Sequence, residues 1–561
     1  MPSRTDDSVA TRQVDAAPSL PRARHVIHEE LRDALAEAPD AELVRFVDLD
    51  GSCVSRWTRR QIWEESLALA HGLRRRGVGR GDRIVMMLEN RPEFLVAWFA
   101  SSMLGAISVP LNTSHKGAVL EHMISGSGCS VIVCEPALVA TVEAASGANA
   151  NDPILVVVDD EDASLAVGPA RHVSWSSIVA ENVSDAEVIV DSVDPWDTAS
   201  IMYTSGTTGR SKGVVCSHRA IMRLGEVNNY VLGHGPEDVS FSCLPLFHGN
   251  ALWTSFLAGL IGRSRIVIAP RFSASRFWAQ VSRTEATVLS LLGAMGNILQ
   301  QCDPNLSERD HRVRIALCVP VPEDREGFEK RFGFPLTEVY GSTDSGIVIG
   351  TPAGQSRPGS CGRALPDCEL DVVDDFDQPV PPGTPGELVF RPGRPWIMPS
   401  GYWGMPEESL GVWRNLWLHT GDYVQRDVDG WFSFVDRKKD AIRRAGENIS
   451  SVEVEEALLG HEAISEVAVY GVPSELGEQE VMAAVVTKQG HDLELRALLT
   501  YCEERLAYFA IPRFYRLIDE LPHNRSQRVD KVSLRAEGTD GAWDAGPRGR
   551  TARATVEGPS R

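Results

Sequence analysis

Apolar and polar positions follow two alternating patterns through most of the chain. Trp63, Leu67 and Ala70 recur at the spacing of one helix face, and the glycines at 77, 79 and 81 end that helix. The apolar run 82–88 instead indicates a buried strand. Further helices are predicted from 92 and over 118–124, and further strands at 106–109, 131–133 and 154–158. Strand–helix–strand order of this kind predicts parallel sheets covered by helices.

One segment has the length of a membrane helix. The residues from Phe94 to Leu111 form a run of 18 without formal charge, and about 18 apolar residues are enough to span a bilayer. Two serines, a glycine and Pro110 interrupt the run. The segment is therefore predicted to be a buried helix through about Met103, followed by a short strand, and no membrane span is expected.

The pattern changes near the C-terminal end. Strands are predicted at 431–435, 466–471 and 481–486, and helices at 452–459 and 493–506. Together they indicate a separate α+β unit of about 100 residues, a usual domain size. The predicted fold class is α/β, with a large N-terminal domain of helix-covered sheets and a small α+β C-terminal domain.

Both ends of the chain are poor in apolar residues, which is typical of disorder. The predicted organisation is a disordered tail over 1–22, a large domain over 23–435, a small domain over 436–535 and a disordered tail over 536–561.

Composition narrows the class of protein. A chain of 561 residues predicts two to four domains. Its formal net charge of -21 repels phosphate backbones, so no nucleic-acid partner is expected. The 10 cysteines include no C-x-x-C pair, which indicates neither a zinc site nor a redox motif and fits a cytoplasmic setting. The N-terminus has acidic residues where a signal peptide would need an apolar stretch.

The strongest chemical signal is the segment Tyr203–Gly213, which reads YTSGTTGRSKG. Small residues allow backbone N–H groups to approach phosphate oxygens, the hydroxyls add donors, and Lys212 adds positive charge. The G-x-x-x-x-G-K-[ST] spacing of a Walker loop is absent. Such a composition alone favours a Ser/Gly-rich surface loop, and a phosphate-binding loop is the alternative interpretation that the full string decides.

The full string is similar to the phosphate-loop signature of the adenylate-forming superfamily of acyl-CoA synthetases, peptide-synthetase adenylation domains and luciferases. The resemblance extends from about residue 30 to residue 535. Within the superfamily the chain looks most like the crotonobetaine/carnitine–CoA ligases. The resemblance implies ATP, Mg²⁺ and coenzyme A as cofactors, a large adenylation domain and a mobile C-terminal lid domain after a hinge. In the loop it implies nucleotide contacts at Thr204, Ser205, Gly206, Thr207, Thr208, Gly209 and Lys212, with Thr207 also at the metal and Lys212 also catalytic.

A second match is the string from Val339 to Asp344, similar to the family pattern Y-G-x-T-E. The resemblance implies that Tyr340 stacks on adenine, that Thr343 contacts phosphate and that Asp344 binds Mg²⁺. Gly341 and Ser342 belong to the same implied site. Asp344 is one methylene shorter than the usual Glu but remains a hard oxygen ligand suited to Mg²⁺. Without the resemblance, the string is typical of a turn.

A third match, Leu418-His-Thr-Gly-Asp422, implies that Asp422 holds the ribose hydroxyls, since a carboxylate accepts two O–H donors. The string 436–440 is similar to the family hinge, with Arg437 at the ribose or phosphate and Lys439 at the hinge position. The resemblance also implies nucleotide contacts at Gly446 and Glu447, which lie in a stretch that lines the pantetheine channel in relatives. The alternative interpretation of 436–440 is a solvated basic turn.

A fourth match is LPLFHGN, residues 244–250. In similar acyl-CoA ligases the histidine, here His248, gates the acyl pocket. A histidine in an apolar stretch is otherwise more often part of the core.

Two strings depart from the family pattern. Arg528 stands where the family has its catalytic lysine, and Lys531 is the other candidate. Arginine offers the charge as a planar fork, so the exchange is not conservative. The prolines of 317–322 replace a Gly-Gly-Ala-Pro loop and stiffen the predicted adenine pocket.

The resemblance implies ATP-dependent activation of a small-to-medium carboxylic acid, then transfer to coenzyme A. A carrier protein or a nitrogen nucleophile remains open as the acceptor, and a non-catalytic nucleotide-binding protein is the rival class. The apolar pocket is expected at Leu252, Trp253, Leu292, Gly293, Ala294 and Met295. No oligomeric state can be read from the sequence.

Overall fold

The computed structural model describes residues 26–147, 152–158, 172–180, 192–204, 210–322, 324–437, 441–444, 446–474, 478–488, 490–491, 493–522 and 529–546. The predicted tail 1–22 lies outside these ranges.

Two largely parallel sheets, with strands between Glu42 and Thr337, form most of the large domain. In the described residues the first sheet contains seven strands, in the spatial order His172–Ser174, Ile154–Val157, Val131–Cys134, Arg83–Met87, Ile107–Pro110, Thr198–Thr204 and Lys212–Ser217. The second contains Leu336–Thr337, Ile315–Val319, Val288–Leu292, Val239–Ser242, Arg265–Ile268, Glu42–Val47 and Cys53–Thr58. In each sheet only the last pair is antiparallel. The carboxyl ends of parallel strands meet at one edge, which is where ligands bind in such sheets.

A third sheet is antiparallel and closes the large domain. Its described strands are Tyr340–Ser342, Gly346–Gly350, Gly362–Ala364, Trp431–Arg437, Trp417–Arg426, Gly386–Pro392 and Cys368–Val373 in spatial order, with Trp413–Arg414 paired to Trp417–Arg426. Arg223, on a helix of the second sheet, forms a buried ion pair with Asp367 at 2.6 Å and donates to the carbonyl of Ile347 at 2.8 Å. This contact fixes the third sheet against the second.

Helices cover both parallel sheets. In the described large domain they are Ile27–Glu37, Arg59–Arg75, Pro92–Leu104, Gly117–Ser127, Val139–Ser146, Trp175–Val179, His218–Leu232, Leu257–Ile261, Phe277–Arg283, Gly293–Gln301, Arg325–Phe332 and Pro406–Gly411. The second of these begins at Thr58, whose hydroxyl accepts from the N–H of Gln61 in a capping box, as expected for a helix start. Short 3₁₀ segments lie at Pro136–Leu138 and Leu306–Arg309, and a π-helix at Asn250–Phe256.

The charge-free segment is a core helix, as predicted. Pro92 begins it, Gly105 ends it with φ 65°, and every residue from Phe94 to Leu104 is buried. Its side chains belong to the apolar core shared by the first and second sheets. Within the described residues, no helix combines the length and apolarity needed to cross a bilayer.

The small domain has its own core. Its helices are Ser451–Leu459, Leu495–Arg505 and Lys531–Ala536, and its strands are Ala441–Arg444, Glu447–Ser450, Ile464–Pro473, Gln479–Thr487, Phe514–Leu517 and Trp543–Asp544. The predicted α/β fold class, with one large domain of helix-covered sheets and one small α+β domain, is confirmed. The predicted tail from 536 is wrong in its first part, because Trp543 pairs with Tyr515 and packs against the small-domain core.

Candidate active site

A cavity of about 540 Å³ lies where the three sheets of the large domain meet the small domain. The first sheet contributes Thr204 and Lys212, the second contributes Leu292, the third contributes Asp422, and the small domain contributes Gly446. The predicted site residues that line this cavity are Thr204, Lys212, His248, Gly341, Ser342, Thr343, Asp344, Asp422 and Gly446.

One end of the cavity holds a carboxylate and a cation. The hydroxyl of Tyr402 lies beside the carboxylate of Asp344, and Nζ of Lys212 lies 4.8 Å from the centre of the Tyr402 ring. Burial raises the pKa of Asp344, whereas the Tyr402 hydroxyl and the charge of Lys212 act to lower it. Burial and the Asp344 carboxylate raise the pKa of Tyr402, which therefore remains a neutral donor. A buried carboxylate beside a cation suits a charged ligand.

Among the described residues, no group of three or more His, Cys, Asp or Glu side chains is placed to hold a metal ion. Mg²⁺ does not need such a group, because one or two carboxylates and the substrate phosphates complete its coordination. Asp344 therefore fits a magnesium ion that arrives with a nucleotide.

A second polar end is built on the strand Trp417–Arg426. Tyr340 Oη donates to Asp422 Oδ2 at 2.7 Å. The turn before Asp422 is held by Thr420 Oγ1, which donates to the carbonyl of Leu388 at 2.7 Å. Asp422 pairs along its backbone with Arg437, whose side chain lies outside the description. The Asp422 carboxylate is thus positioned to accept from a sugar hydroxyl.

The small domain reaches the cavity through the turn between Ala441–Arg444 and Glu447–Ser450. Glu447 Oε1 lies 2.9 Å from His248 Nε2 and accepts from Asn112 Nδ2 at 3.0 Å. Gly446 has φ 82°, and a Cβ built on it would lie 2.2 Å from Leu292 Cδ1. A glycine is required at this close approach.

Contacts farther from the cavity continue this interface, here named the domain seam and defined as all contacts between the large domain and residues after 440. The Glu453 carboxylate accepts from both the N–H and the hydroxyl of Ser211, and Arg210 pairs with Glu456 at 3.1 Å. Burial raises the pKa of Glu453, and the bonds from Ser211 oppose that shift. The end of the predicted phosphate loop is therefore held by the small domain.

A narrow passage runs along the domain seam. It encloses about 130 Å³ and is lined by His115, Glu447 and Phe509 among others. Several of its residues also line the main cavity: Thr204, His248, Gly249, Thr343 and Gly446. Burial lowers the pKa of His115 to about 4, so this ring is neutral near pH 7. The passage opens into the main cavity beside His248.

Family models cover both domains. The model described as AMP-binding enzyme matches residues 31–403, and the model of the AMP-binding enzyme C-terminal domain matches residues 453–528. The chain belongs to the AMP-binding enzymes. The predicted membership of the adenylate-forming superfamily is confirmed.

Known members of the AMP-binding enzymes align over nearly the whole chain. The crotonobetaine/carnitine–CoA ligase of Salmonella paratyphi C (strain RKS4594) is 30% identical over 466 residues, which is 82% of this chain and 89% of that protein. Amide bond synthetase McbA from Marinactinospora thermotolerans has a TM-score of 0.78 at 23% identity, covering 91% of this chain and 99% of that one. A double mutant of o-succinylbenzoate CoA synthetase (MenE) from Bacillus subtilis has a TM-score of 0.75 at 24% identity, covering 91% and 98%. The predicted likeness to the crotonobetaine/carnitine–CoA ligases is confirmed.

Several predicted residues are not brought to the cavity or lie outside the description. Lys531 Nζ donates to Ser451 Oγ at 2.9 Å and pairs with Glu455 at 2.8 Å, so the helix Ser451–Leu459 holds it. The residues outside the described ranges are Ser205, Gly206, Thr207, Thr208, Gly209, Lys439 and Arg528. Their predicted roles remain predictions for this AMP-binding enzyme.

The predicted acyl pocket is partly wrong. Trp253 and Leu292 line the cavity, whereas Leu252, Ala294 and Met295 are buried away from it. Gly293 packs so closely against Pro320 that a Cβ would lie 2.7 Å from its Cδ. Leu252 lies on the π-helix, Gly293, Ala294 and Met295 lie on the helix Gly293–Gln301, and Leu252 and Met295 pack into the apolar core.

Three side chains of the candidate site and its domain seam were missed by the sequence reasoning. Tyr402 follows a plain Ser-Gly pair and gives no sequence signal. Glu453 stands three residues after Ser450, a spacing typical of a helix cap, and that signal concealed its bond to Ser211. Asn250 ends the LPLFHGN string, and its polarity next to an apolar stretch was the available signal.

Proposed function

We propose that this AMP-binding enzyme uses Mg·ATP to convert a carboxylic acid into an acyl-adenylate and then transfers the acyl group to coenzyme A. The observation that carries the proposal is one cavity with three kinds of surface. Lys212 and Asp344 suit phosphates and their metal, and Asp422 suits a ribose. A third surface without charge suits the body of an acid, and the passage beside His248 gives a second reactant access.

In the first half-reaction a carboxylate oxygen attacks the α-phosphorus of ATP and the bond to pyrophosphate breaks. Negative charge moves onto pyrophosphate, so fixed positive charge nearby lowers the barrier. Lys212 supplies such charge from the chain, and Asp344 would hold Mg²⁺, which supplies positive charge at the phosphates. Asp422 and Tyr340 fix the nucleotide by its ribose end.

In the second half-reaction a thiol sulfur attacks the acyl carbonyl and AMP leaves. The seam passage admits a slender group to the cavity at His248. The His248–Glu447 pair lies at that junction and is positioned to take the thiol proton. The paired groups come from different domains, so this arrangement exists only while the small domain is docked as described.

We propose that Arg528 supplies a cation for the first half-reaction in another orientation of the small domain. Lys531 is held by Glu455 and Ser451, which leaves Arg528 as the better candidate for the lysine's role. Arg528→Ala is expected to reduce pyrophosphate release at least tenfold, and Arg528→Lys to restore most of it. Unchanged adenylation in Arg528→Ala would exclude the role.

The function is tested by incubating the protein with Mg·ATP and a panel of carboxylic acids, with and without coenzyme A. Pyrophosphate and AMP are measured, and products are identified by mass spectrometry. Acid-dependent pyrophosphate release together with an acyl-CoA product is expected. Release of pyrophosphate without formation of a thioester would indicate that the acyl acceptor is a carrier protein or a nitrogen nucleophile instead of coenzyme A. ATP binding without turnover of any acid would contradict the proposal and favour a non-catalytic nucleotide-binding protein.

A further inference from the structure

One surface of the cavity is free of charge. Among the described residues it consists of Leu224, Leu244, Pro245, His248, Gly249, Asn250, Trp253, Thr254, Leu292, Leu317, Val319, Val339 and Ile347, named here the uncharged wall. It contains no Asp, Glu, Lys or Arg. The acidic residues that line the cavity, Asp344, Glu387 and Asp422, lie instead on the third sheet or the turn within it.

A polar cluster interrupts the uncharged wall. Asn250 Oδ1 lies 3.0 Å from Ser290 Oγ and 3.1 Å from Thr254 Oγ1. Ser290 and Thr254 are themselves buried. Asn250 lines the cavity, and the other end of its amide has no bonded partner among the described residues.

The backbone holds this amide in place. Asn250 begins the π-helix Asn250–Phe256, and its carbonyl accepts from Thr254 Oγ1 at 2.6 Å and from Ser255 Oγ at 2.9 Å. The amide of Asn228, which is fully buried, donates to the carbonyl of Thr254. Widened helical turns of this kind are frequently found at functional sites.

The amide can satisfy a ligand in either orientation. Hydroxyls donate or accept, so either end of the Asn250 amide can face Ser290 and Thr254. The remaining end then faces the cavity as an uncharged donor or as an uncharged acceptor. A hydroxyl on a ligand pairs with both, and a carbonyl pairs with the donor.

A polar side chain in this position is unfavourable without a partner. An amide that is taken out of water loses free energy unless a hydrogen bond replaces the water. A pure hydrocarbon chain would cover Asn250 and leave one end of its amide unpaired. An acid with a matching polar group would instead form a hydrogen bond with that end of the amide.

We propose that the acid activated by this enzyme carries, besides its carboxylate, an uncharged hydroxyl or carbonyl group that bonds to the amide of Asn250. This inference rests on the proposed adenylation. The uncharged wall itself contributes no carboxylate for a quaternary ammonium group, and the neighbouring Glu447 carboxylate is already paired with His248 and Asn112. The same wall offers no cation to a second carboxylate.

The test compares acids that differ only at one substituent, by acid-dependent ATP–pyrophosphate exchange. Suitable pairs are the ortho, meta and para hydroxybenzoates with the corresponding methylbenzoates, the same pairs of phenylacetates, and omega-hydroxyhexanoate with heptanoate. In at least one pair the hydroxylated acid is expected to have a kcat/KM at least tenfold above its methyl partner. Carnitine and succinate are expected to be poorer than that acid.

Asn250→Leu, which is close in volume, is expected to lower the ratio of kcat/KM for the preferred hydroxylated acid to kcat/KM for its methyl partner by 10- to 100-fold. Thr284→Val is the matched control, because Thr284 is buried and bonds to a helix carbonyl at 2.7 Å but does not line the cavity. Thr284→Val is expected to leave unchanged the ratio of kcat/KM for a hydroxylated acid to kcat/KM for its methyl partner. Binding of the two acyl-sulfamoyl adenosines of the preferred pair to the wild type gives the same comparison without a variant.

The outcomes separate this inference from the function on which it rests. Exchange that favours the methyl acids throughout, or an unchanged hydroxyl-to-methyl ratio in a folded Asn250→Leu, overturns the inference and keeps the adenylation. Preference for carnitine or succinate also overturns it. Absence of exchange with every acid overturns the proposed function as well.

Discussion

The uncharged wall and the domain seam face the same cavity but differ in composition. The wall is made of residues without formal charge, whereas the seam is made largely of charged and hydrogen-bonding groups. The wall lies inside the large domain, where the polar atoms of Asn250 bond to neighbours in that domain. It meets the seam at His248 and Leu292, which contact Glu447 and Gly446. The seam joins two domains through carboxylates, hydroxyls and an imidazole. Its ion pair Arg210–Glu456 has side chains that are 59% and 46% exposed, and such pairs contribute about 0–1 kcal/mol. The wall is therefore fixed and the seam can be broken.

This difference assigns separate tasks to the two regions. Selection of an acid needs groups that keep their positions, and a buried polar network provides them. Use of two reactants in turn needs a surface that can open, and small-domain rotation is a known way to achieve it. Changes in the seam should therefore alter the transfer step, and changes in the wall should alter the choice of acid.

The largest expected effect is in the seam, at Gly446→Ala. The new Cβ meets Leu292 Cδ1 at 2.2 Å, and alanine is disfavoured at φ 82°. Acyl transfer to coenzyme A is expected to fall about 100-fold, while ATP–pyrophosphate exchange falls less than threefold. Single-turnover measurement of both half-reactions checks this.

Gly490→Ala is the matched control for that variant. Gly490 has φ 80°, but its added Cβ would meet nothing within 4 Å, so it introduces the backbone strain without the seam clash. Both half-reactions should stay near wild type. Equal losses of exchange and transfer in Gly446→Ala would show that the seam cannot be separated from the wall.

A smaller effect is expected at Glu453. Glu453→Gln removes the negative charge of the carboxylate that accepts two hydrogen bonds from Ser211. The docked small domain therefore loses a charge-assisted contact. Transfer to coenzyme A is expected to fall about tenfold. Glu456→Gln, which removes only the exposed partner of Arg210, should change transfer less than twofold. A larger loss in Glu456→Gln than in Glu453→Gln would reverse the proposed order of seam contacts.

The fold was predictable because its signals are local. The helix Pro92–Leu104 and the strand Ile107–Pro110 follow from an apolar run interrupted by glycine and proline, and they were placed within one or two residues. The pairing of Trp543 with Tyr515 was missed because the flanking Gly and Thr residues are typical of a loose tail. The strand at Trp543 forms because it pairs with a strand that is distant in the sequence, and local sequence does not encode such pairing.

The site was predictable only where a whole string resembles its family. Asp344 and Asp422 were found in this way, and both line the cavity. Tyr402 was missed because its partner, Asp344, is remote in sequence and only the fold brings them together. The acyl pocket was partly wrong because the sequence did not show which side chains of the π-helix and of the helix Gly293–Gln301 face the apolar core.

Thr254→Val tests the wall with a smaller change. The variant keeps the volume but removes the hydroxyl beside the Asn250 amide, so the amide is less firmly held. The preference for a hydroxylated acid over its methyl partner is expected to fall about threefold to tenfold. The ratio of transfer to adenylation should not change, as measured with a single preferred acid. A changed ratio of transfer to adenylation would mean that residues of the wall also affect the transfer step.

The smallest effect on turnover is expected for a carboxylate buried behind the wall. Glu226 lies on the helix His218–Leu232, and burial raises its pKa to about 7, although Arg219 at 3.5 Å acts to lower it. Between pH 4.5 and 7 the unfolded glutamate has released its proton while the folded one retains it. Unfolding then releases protons, so this group makes the free energy of unfolding decrease as pH rises, and its effect is constant above pH 7.

Glu226→Gln removes this titration. The free energy of unfolding of the variant is therefore expected to rise relative to wild type by about 2–3 kcal/mol between pH 5 and pH 8, with turnover within twofold. Urea unfolding at several pH values measures it, and Glu326→Gln, an exposed change on another helix, should show no such difference. If the free energies of unfolding of the variant and the wild type change in parallel with pH across this range, Glu226 is not the group that titrates. A change in the transfer step would instead connect the large-domain interior to the seam, and the separation of the two regions would not hold.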